Sequence, residues 1–224
     1  MASKKSRRRR SNPEIKKSFL ERKEVKTVIF IIAVIFLVAV SIIVISNIND
    51  NGIVDQTENP IAIIDTTMGV IKVELYEDLT PNTVDNFIKL AEDGFYDGLV
   101  FHRVIENFMI QGGGFYTDGT PNQSPYGPID LEIHPEASHV NGAIAMARTS
   151  DPNSATSQFF INHGSQPSLE PGGVDQYGYA VFGVTIEGFE IVSSIASLPT
   201  TNKFGMDDWP VDDVIINSIT IETQ

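Results

Sequence analysis

The stretch VIFIIAVIFLVAVSIIVI, residues 28 to 45, constrains the chain more than any other, because Ser41 is the only polar residue among its eighteen. A helix built from it has no polar face to turn to water, so every side must be covered. At about 1.5 Å per residue it reaches roughly 27 Å, close to the hydrocarbon thickness of a bilayer. A transmembrane helix is therefore expected over residues 27–46. Lys16, Lys17, Arg22, Lys23 and Lys26 crowd its N-terminal side, and no basic residue follows until Lys72. By the positive-inside rule the N-terminus is expected in the cytoplasm and the bulk of the chain outside, as in a single-pass protein of the cell membrane. A cleavable export signal has the same basic head and apolar stretch. Its apolar core, however, normally runs to about 7–15 residues and ends in an A-x-A-like site, which SNINDNG (46–52) does not supply. The reading is an uncleaved anchor.

Charge divides the chain at the same place. Residues 1–26 carry eleven Lys or Arg against three Glu, whereas the rest carries five against twenty-six Asp or Glu. Beside an apolar stretch, the block KKSRRRR reads as a topology determinant and a contact for anionic lipid rather than as a nucleic-acid site. The acidic remainder repels phosphate backbones, so no nucleic-acid partner is expected. Such acidity also suits a salty surrounding, where screening relieves self-repulsion. The chain has no cysteine, which excludes disulfides, thiol catalysis and Cys-ligated metals. Residues 47–60 are polar and hold turn formers without apolar periodicity, as a linker does. The expected organisation is a basic cytoplasmic tail (1–26), a membrane helix (27–46), a linker (47–60) and a folded domain (61–224).

Within that domain the pattern is strand-rich. IAIID (61–65) and GVIKVELY (69–76) are β-prone runs joined by a short turn, which predicts a hairpin. In TPNTVDNFIKLAEDG, Thr80 can cap a helix, Pro81 suits its first position, Val84, Phe87, Ile88 and Ala91 share one face, and Gly94 can end it. Further strands are expected at 99–105, 108–112, 142–147, 157–162, 179–185 and 213–222, with a second helix over 188–198. Many short strands with two helices imply an antiparallel barrel or sandwich whose ends the helices cover.

Arg103 and Arg148 are the only arginines after residue 26. In a strand, FHRVI sends Phe101, Arg103 and Ile105 to one face and His102 and Val104 to the other, so Arg103 keeps apolar company. Two permanent cations beside core-like strands are either ion-paired structural groups or groups with a specific task.

FHRVIENFMIQGGG (101–114) resembles the signature of the cyclophilin peptidyl-prolyl cis–trans isomerases. GAIAMARTSDPNSATSQFFIN (142–162) is similar to that family's second block, in its bacterial and archaeal style. The likeness continues through YAVFG, covers roughly residues 61–223, and leaves out the basic head and the apolar segment. The resemblance implies a mainly β fold: a closed eight-stranded antiparallel barrel capped by two helices, with the active site on its outer surface. It implies no cofactor and no metal, and proline-containing polypeptides as partners. Carried over residue by residue, Arg103 matches the catalytic arginine, and Phe108, Met109 and Gln111 match groove residues. Ala147 and Arg148 match the contacts to the substrate backbone, Phe160 the floor of the proline pocket and Leu169 the pocket leucine. Tyr179 stands where many eukaryotic relatives carry histidine.

The chemistry accounts for these residue types. Rotation about an X–Pro bond meets a barrier of roughly 18–20 kcal/mol because the amide nitrogen shares its lone pair with the carbonyl. Twisting ends that sharing and leaves a pyramidal, more basic nitrogen. A guanidinium aimed at it donates a hydrogen bond that the planar ground state accepts poorly, and stabilisation confined to the transition state raises a rate. Arginine stays protonated, so it is a fixed donor rather than a general acid. The expected function is a membrane-anchored prolyl isomerase assisting the folding of exported proteins. The alternative is a non-catalytic tethered chaperone or scaffold that holds proline-containing segments in the same groove.

Other features carry less. Glu132, His134, Glu136 and His139 lie in a Pro-interrupted stretch without H-E-x-x-H spacing, so a metal site is not expected. Gly112 to Gly114 read as a tight turn, since no Lys-Ser/Thr follows as a phosphate-binding loop requires. His102 is expected to be structural. Gly114 stands where relatives of the family usually have aspartate. Ser168 stands where many eukaryotic members have tryptophan, and the sole tryptophan is Trp209; weak binding of the cyclic peptide cyclosporin is therefore expected.

Overall fold

The computed structural model describes residues 59–223. The basic tail, the expected membrane helix and all but the last two linker residues lie outside them. No helix among the described residues is long and apolar enough to cross a membrane.

The first two strands, β1 (Ile61–Thr66) and β2 (Gly69–Leu75), form the expected antiparallel hairpin, in register from Ile61 opposite Glu74 to Thr66 opposite Gly69. Helix α1 (Pro81–Glu92) follows and buries Val84, Phe87, Leu90 and Ala91. It is capped differently from the sequence expectation, since the Thr80 side chain makes no capping bond. The cap comes from a residue far along the chain: Glu132 accepts from the backbone N–H of Asn82 at 3.2 Å and of Thr83 at 2.7 Å, and from both of their side chains. A carboxylate there both satisfies orphan N–H donors and sits at the positive end of the helix dipole.

Five more strands, β3 (Arg103–Ile105), β4 (Met109–Gly112), β5 (Ala143–Met146), β6 (Phe159–Asn162) and β7 (Val181–Glu187), lead to helix α2 (Phe189–Ala196). A hairpin of β8 (Thr200–Lys203) and β9 (Met206–Pro210) comes next, and β10 (Ile216–Glu222) closes the chain. The main sheet is antiparallel, in the order β10-β1-β2-β7-β5-β6-β4-β3, and β8-β9 forms a separate two-stranded sheet.

The expected closed barrel is corrected by this order. The eight strands curl into a half-barrel, and no strand pair joins its edges β3 and β10. β3 has only three residues, and the segment before it is irregular, so the seam is crossed by scattered hydrogen bonds. Gly98 N–H donates to the Ile216 carbonyl, Ile216 N–H to that of Leu99, and Phe101 N–H to that of Val214.

Alternation along the strands builds two apolar clusters. Val104, Ile110, Ile144, Phe159, Ile161 and Phe182 belong to the large cluster with the helices. Their neighbours Met109, Ala145, Phe160 and Val181 belong to a second one, as a period of two requires when both faces of a sheet are covered. The expected face of Phe101 is corrected. It lies in the large cluster with Val104, because the strand begins only at Arg103 and the alternation does not extend before it.

The hairpin β8-β9 was not legible in the sequence. Its turn residues Phe204 and Gly205 have φ of 57° and 79°, the two positive values that a type I′ turn demands. A phenylalanine in the left-handed region is disfavoured and gives no turn signal. Its ring lies against Gly119, where an added Cβ would fall 2.4 Å from the ring.

Candidate active site

The site grows from the β3-β4 hairpin. Phe108 N–H donates to the Ile105 carbonyl at 3.1 Å, and Asn107 takes a left-handed φ of 61° to close the turn. This brings Phe108 beside Arg103, whose guanidinium carbon stands 5.7 Å from the ring centre. In register, Arg103 lies opposite Gln111, and Gln111 opposite Phe160 on β6. Arg103, Gln111 and Phe160 thus come from three adjacent strands of the face turned away from the large core.

All nine expected residues line one hollow of about 180 Å³: Arg103, Phe108, Met109, Gln111, Ala147, Arg148, Phe160, Leu169 and Tyr179. That volume is below the roughly 300–1,000 Å³ of pockets for drug-sized ligands, and suits one residue of a peptide. The short 3-10 turn Pro167–Leu169 carries Leu169 into it. A second hollow of about 230 Å³ adjoins it, sharing Gln111, Ala147 and Arg148 and adding Thr149, Ser154, Thr156 and Gln158. The first sets Phe108, Met109, Phe160, Leu169 and Tyr179 beside Arg103 and Gln111, whereas hydroxyls and amides predominate in the second.

Arg103 is part-exposed, with Nη1 3.9 Å from the sulfur of Met109 and Nε 3.8 Å from a carboxylate oxygen of Asp208. Arg148 is the opposite case. Its side chain is 1% exposed. Nε donates to the Gly178 carbonyl at 3.0 Å, Nη1 to that of Thr149 at 2.8 Å, and Nη2 to Gly178 at 2.6 Å and to Asp175 at 2.5 Å. The guanidinium also stacks on Tyr179, 4.5 Å from the ring centre, and holds the Asp175 carboxyl below its ordinary range. The Arg148 side chain is therefore engaged in fastening the segment 175–179 to the wall of the hollow.

Behind the wall, Tyr179 meets Phe160 edge-on at 5.7 Å, and His139 stacks parallel to Phe160 at 5.9 Å. His139 is buried, bonded through Nε2 to the Tyr179 carbonyl and through Nδ1 to Asn162, and burial lowers its pKa. With Glu132 at the helix cap and His139 under the aromatic floor, two of the four residues considered for a metal have other engagements.

Gln158 is a site residue that motif reading missed. Its Oε1 accepts from Gln111 Nε2 at 2.9 Å. Alternation in SQFFIN puts Gln158 on the face of Phe160, which is the signal that could have found it. Gly114 makes room for it: a Cβ there would fall 2.7 Å from the Gln158 amide. Gly113 is the residue the turn needs, with φ of 80° and the Ser157 carbonyl 2.9 Å from any added Cβ. Trp209 lies outside the hollow, fully buried, with Nε1 donating to Asp213 at 2.7 Å.

Residues 61–221 match the sequence model of the family described as "Cyclophilin type peptidyl-prolyl cis-trans isomerase/CLD". The chain belongs to this family, and it is an enzyme of the peptidyl-prolyl cis–trans isomerase class. A peptidyl-prolyl cis-trans isomerase of Acinetobacter baylyi is 42% identical over 158 residues, covering 70% of this chain and 83% of the relative. One of Streptomyces antibioticus is 43% identical over 163 residues, covering 70% of this chain and 96% of the relative. Among solved structures, a cyclophilin type isomerase of Cryptosporidium parvum, crystallised in the presence of the dipeptide Ala-Pro, is 32% identical with a TM-score of 0.61, covering 73% of this chain and 99% of its own.

Proposed function

We propose that this chain is a membrane-tethered prolyl isomerase acting outside the cytoplasm on exported polypeptides, with Arg103 as the group that stabilises the twisted imide. The observation that carries the reading is the position of Arg103. A part-exposed guanidinium stands at the mouth of a small hollow whose walls are Phe108, Met109, Phe160, Leu169 and Tyr179. The proline ring occupies that hollow and stays still while its acyl partner rotates. Gln111, held by Gln158, and the backbone of Ala147 and Arg148 secure the flanking peptide, whose next residues reach the hydroxyl-lined second hollow. As the nitrogen turns pyramidal, a terminal N–H of Arg103 donates to its lone pair. No bond to carbon forms or breaks, so neither a nucleophile nor a proton transfer is needed.

Tethering rests on the apolar run 28–45 and on the basic residues that precede it. In that setting the enzyme shortens a step that otherwise takes tens to hundreds of seconds. The test is isomerisation of a short X-Pro peptide by the purified full-length chain in detergent, wild type beside Arg103→Ala. The variant is expected to lose about 10²–10³ in kcat, as when one oxyanion-hole donor is removed, while still binding the peptide. A wild-type chain that binds without accelerating isomerisation sinks the catalytic account and leaves a tethered peptide holder. Protease accessibility of a C-terminal tag on intact cells tests the topology separately: a protected, cytoplasmic tag refutes the export role.

A further inference from the structure

Arg103 is held on three sides. Met109 faces Nη1 through its sulfur, Phe108 lies beside the guanidinium plane, and Asp208 Oδ2 stands 3.8 Å from Nε. Met109 and Phe108 line the hollow themselves. Asp208 does not; it comes from β9, in the separate two-stranded sheet, and is the only ion-pair partner of Arg103 among the described residues.

The hairpin is built in a way that delivers this carboxylate. Asp208 has a φ of 60°, a left-handed conformation that costs most residues stability and that Asp and Asn tolerate best. The next residue, Trp209, is fully buried and bonded to Asp213, which also accepts from Lys203 Nζ at 3.0 Å. An anchored indole fixes the backbone on one side of Asp208, and the register shift opposite it, between Thr201 and Lys203, marks a bulge in which the left-handed Asp208 departs from strand alternation. With Trp209 held inward, this bulge leaves the Asp208 carboxylate facing Arg103 Nε on β3.

We propose that Asp208 is a positioning residue for the isomerase reaction: by facing the Nε edge of Arg103, it turns the terminal N–H groups of the guanidinium toward the hollow. The proposal rests on Arg103 being the donor to the imide nitrogen. An arginine side chain has large rotamer freedom, and Arg103 is 40% exposed, so little besides these three contacts restrains it. A donor needed only in the transition state acts best when it is already aimed. The carboxylate faces Nε, which leaves the terminal N–H groups to the imide nitrogen in the proposed reaction. A half-exposed pair contributes modestly, which sets the expected effect at about two- to fivefold.

Asn is the informative replacement, since it tolerates the left-handed backbone and removes the charge. Full-length Asp208→Asn in detergent is expected to turn over an uncharged Ala-Pro peptide at low salt with a kcat about two- to fivefold below wild type and an unchanged KM. Raising the salt should cost the wild type a similar factor and the variant little. In side-chain ¹⁵N–¹H spectra, the Arg103 Nε–H signal, assigned by its loss in Arg103→Lys, should shift and broaden in Asp208→Asn at an unchanged urea midpoint. Wild-type turnover at low salt, an unmoved Nε–H signal, or a raised KM at unchanged kcat each overturns the proposal. A wild-type chain without isomerase activity removes the reading beneath it, and the Nε–H signal then decides alone whether Asp208 holds Arg103.

Discussion

His102 and Arg103 are sequence neighbours with opposite surroundings. His102 packs against Phe115 and Trp209, its Nδ1 has no hydrogen-bond partner, and burial pushes its pKa from 6.5 down to about 4. The folded protein thus holds a neutral imidazole that the unfolded chain protonates below pH 6.5. Stability is expected to fall as pH drops from about 6.5 to 4, by about 3 kcal/mol for this residue. Buried His139, shifted the same way, adds to the fall. Urea unfolding of wild type and His102→Phe at pH 7 and 4.5 checks it, and parallel losses in the two proteins would refute the assignment. At this scale the site was legible in the sequence, because motif and alternation together place Arg103, Gln111 and Phe160 on one face. The engagement of Arg148 with Asp175 and Gly178 was not, since it depends on how a glycine-rich segment folds back over thirty residues.

The elements show the same division between local and distant causes. The periodicity of 81–92 was enough to define α1, but its cap comes from Glu132, fifty residues away in sequence, where no local pattern could reveal it. Glu132→Ala strips the acceptor from two backbone N–H groups and two side chains at once. It is expected to cost about 1–2 kcal/mol, the upper range for a lost cap, read as a lower urea midpoint with turnover of the folded enzyme unchanged. A midpoint equal to wild type would show that Thr80 takes over. The hairpin β8-β9 was hidden for a related reason: its turn places phenylalanine where glycine or asparagine is the usual signal, and the packing of that ring on Gly119 outweighs the local preference. The open seam between β3 and β10 likewise depends on where a three-residue strand begins, which pattern reading fixes poorly.

At the scale of the whole fold, positive charge is scarce among the described residues. The five Lys and Arg among the described residues are each paired with a carboxylate. Of the twenty-three Asp and Glu there, five are in those pairs and eighteen are left without a basic partner among the described residues. Repulsion among them is screened as the Debye length falls from about 30 Å at 0.01 M salt to about 3 Å at 1 M. The thermal midpoint is therefore expected to rise with sodium chloride over that range, and a flat profile would show that the acids are too widely spaced to oppose folding. Composition made this charge imbalance plain, whereas the two-sided use of the sheet needed the register of its strands. That two-sidedness has a consequence for how such an enzyme changes over generations. The residues that line the hollow lie on one side of a shared backbone, and the large cluster packed with the helices lies on the other. A replacement at Leu169, which belongs to the hollow's own cluster, can therefore reshape the hollow with the large cluster untouched.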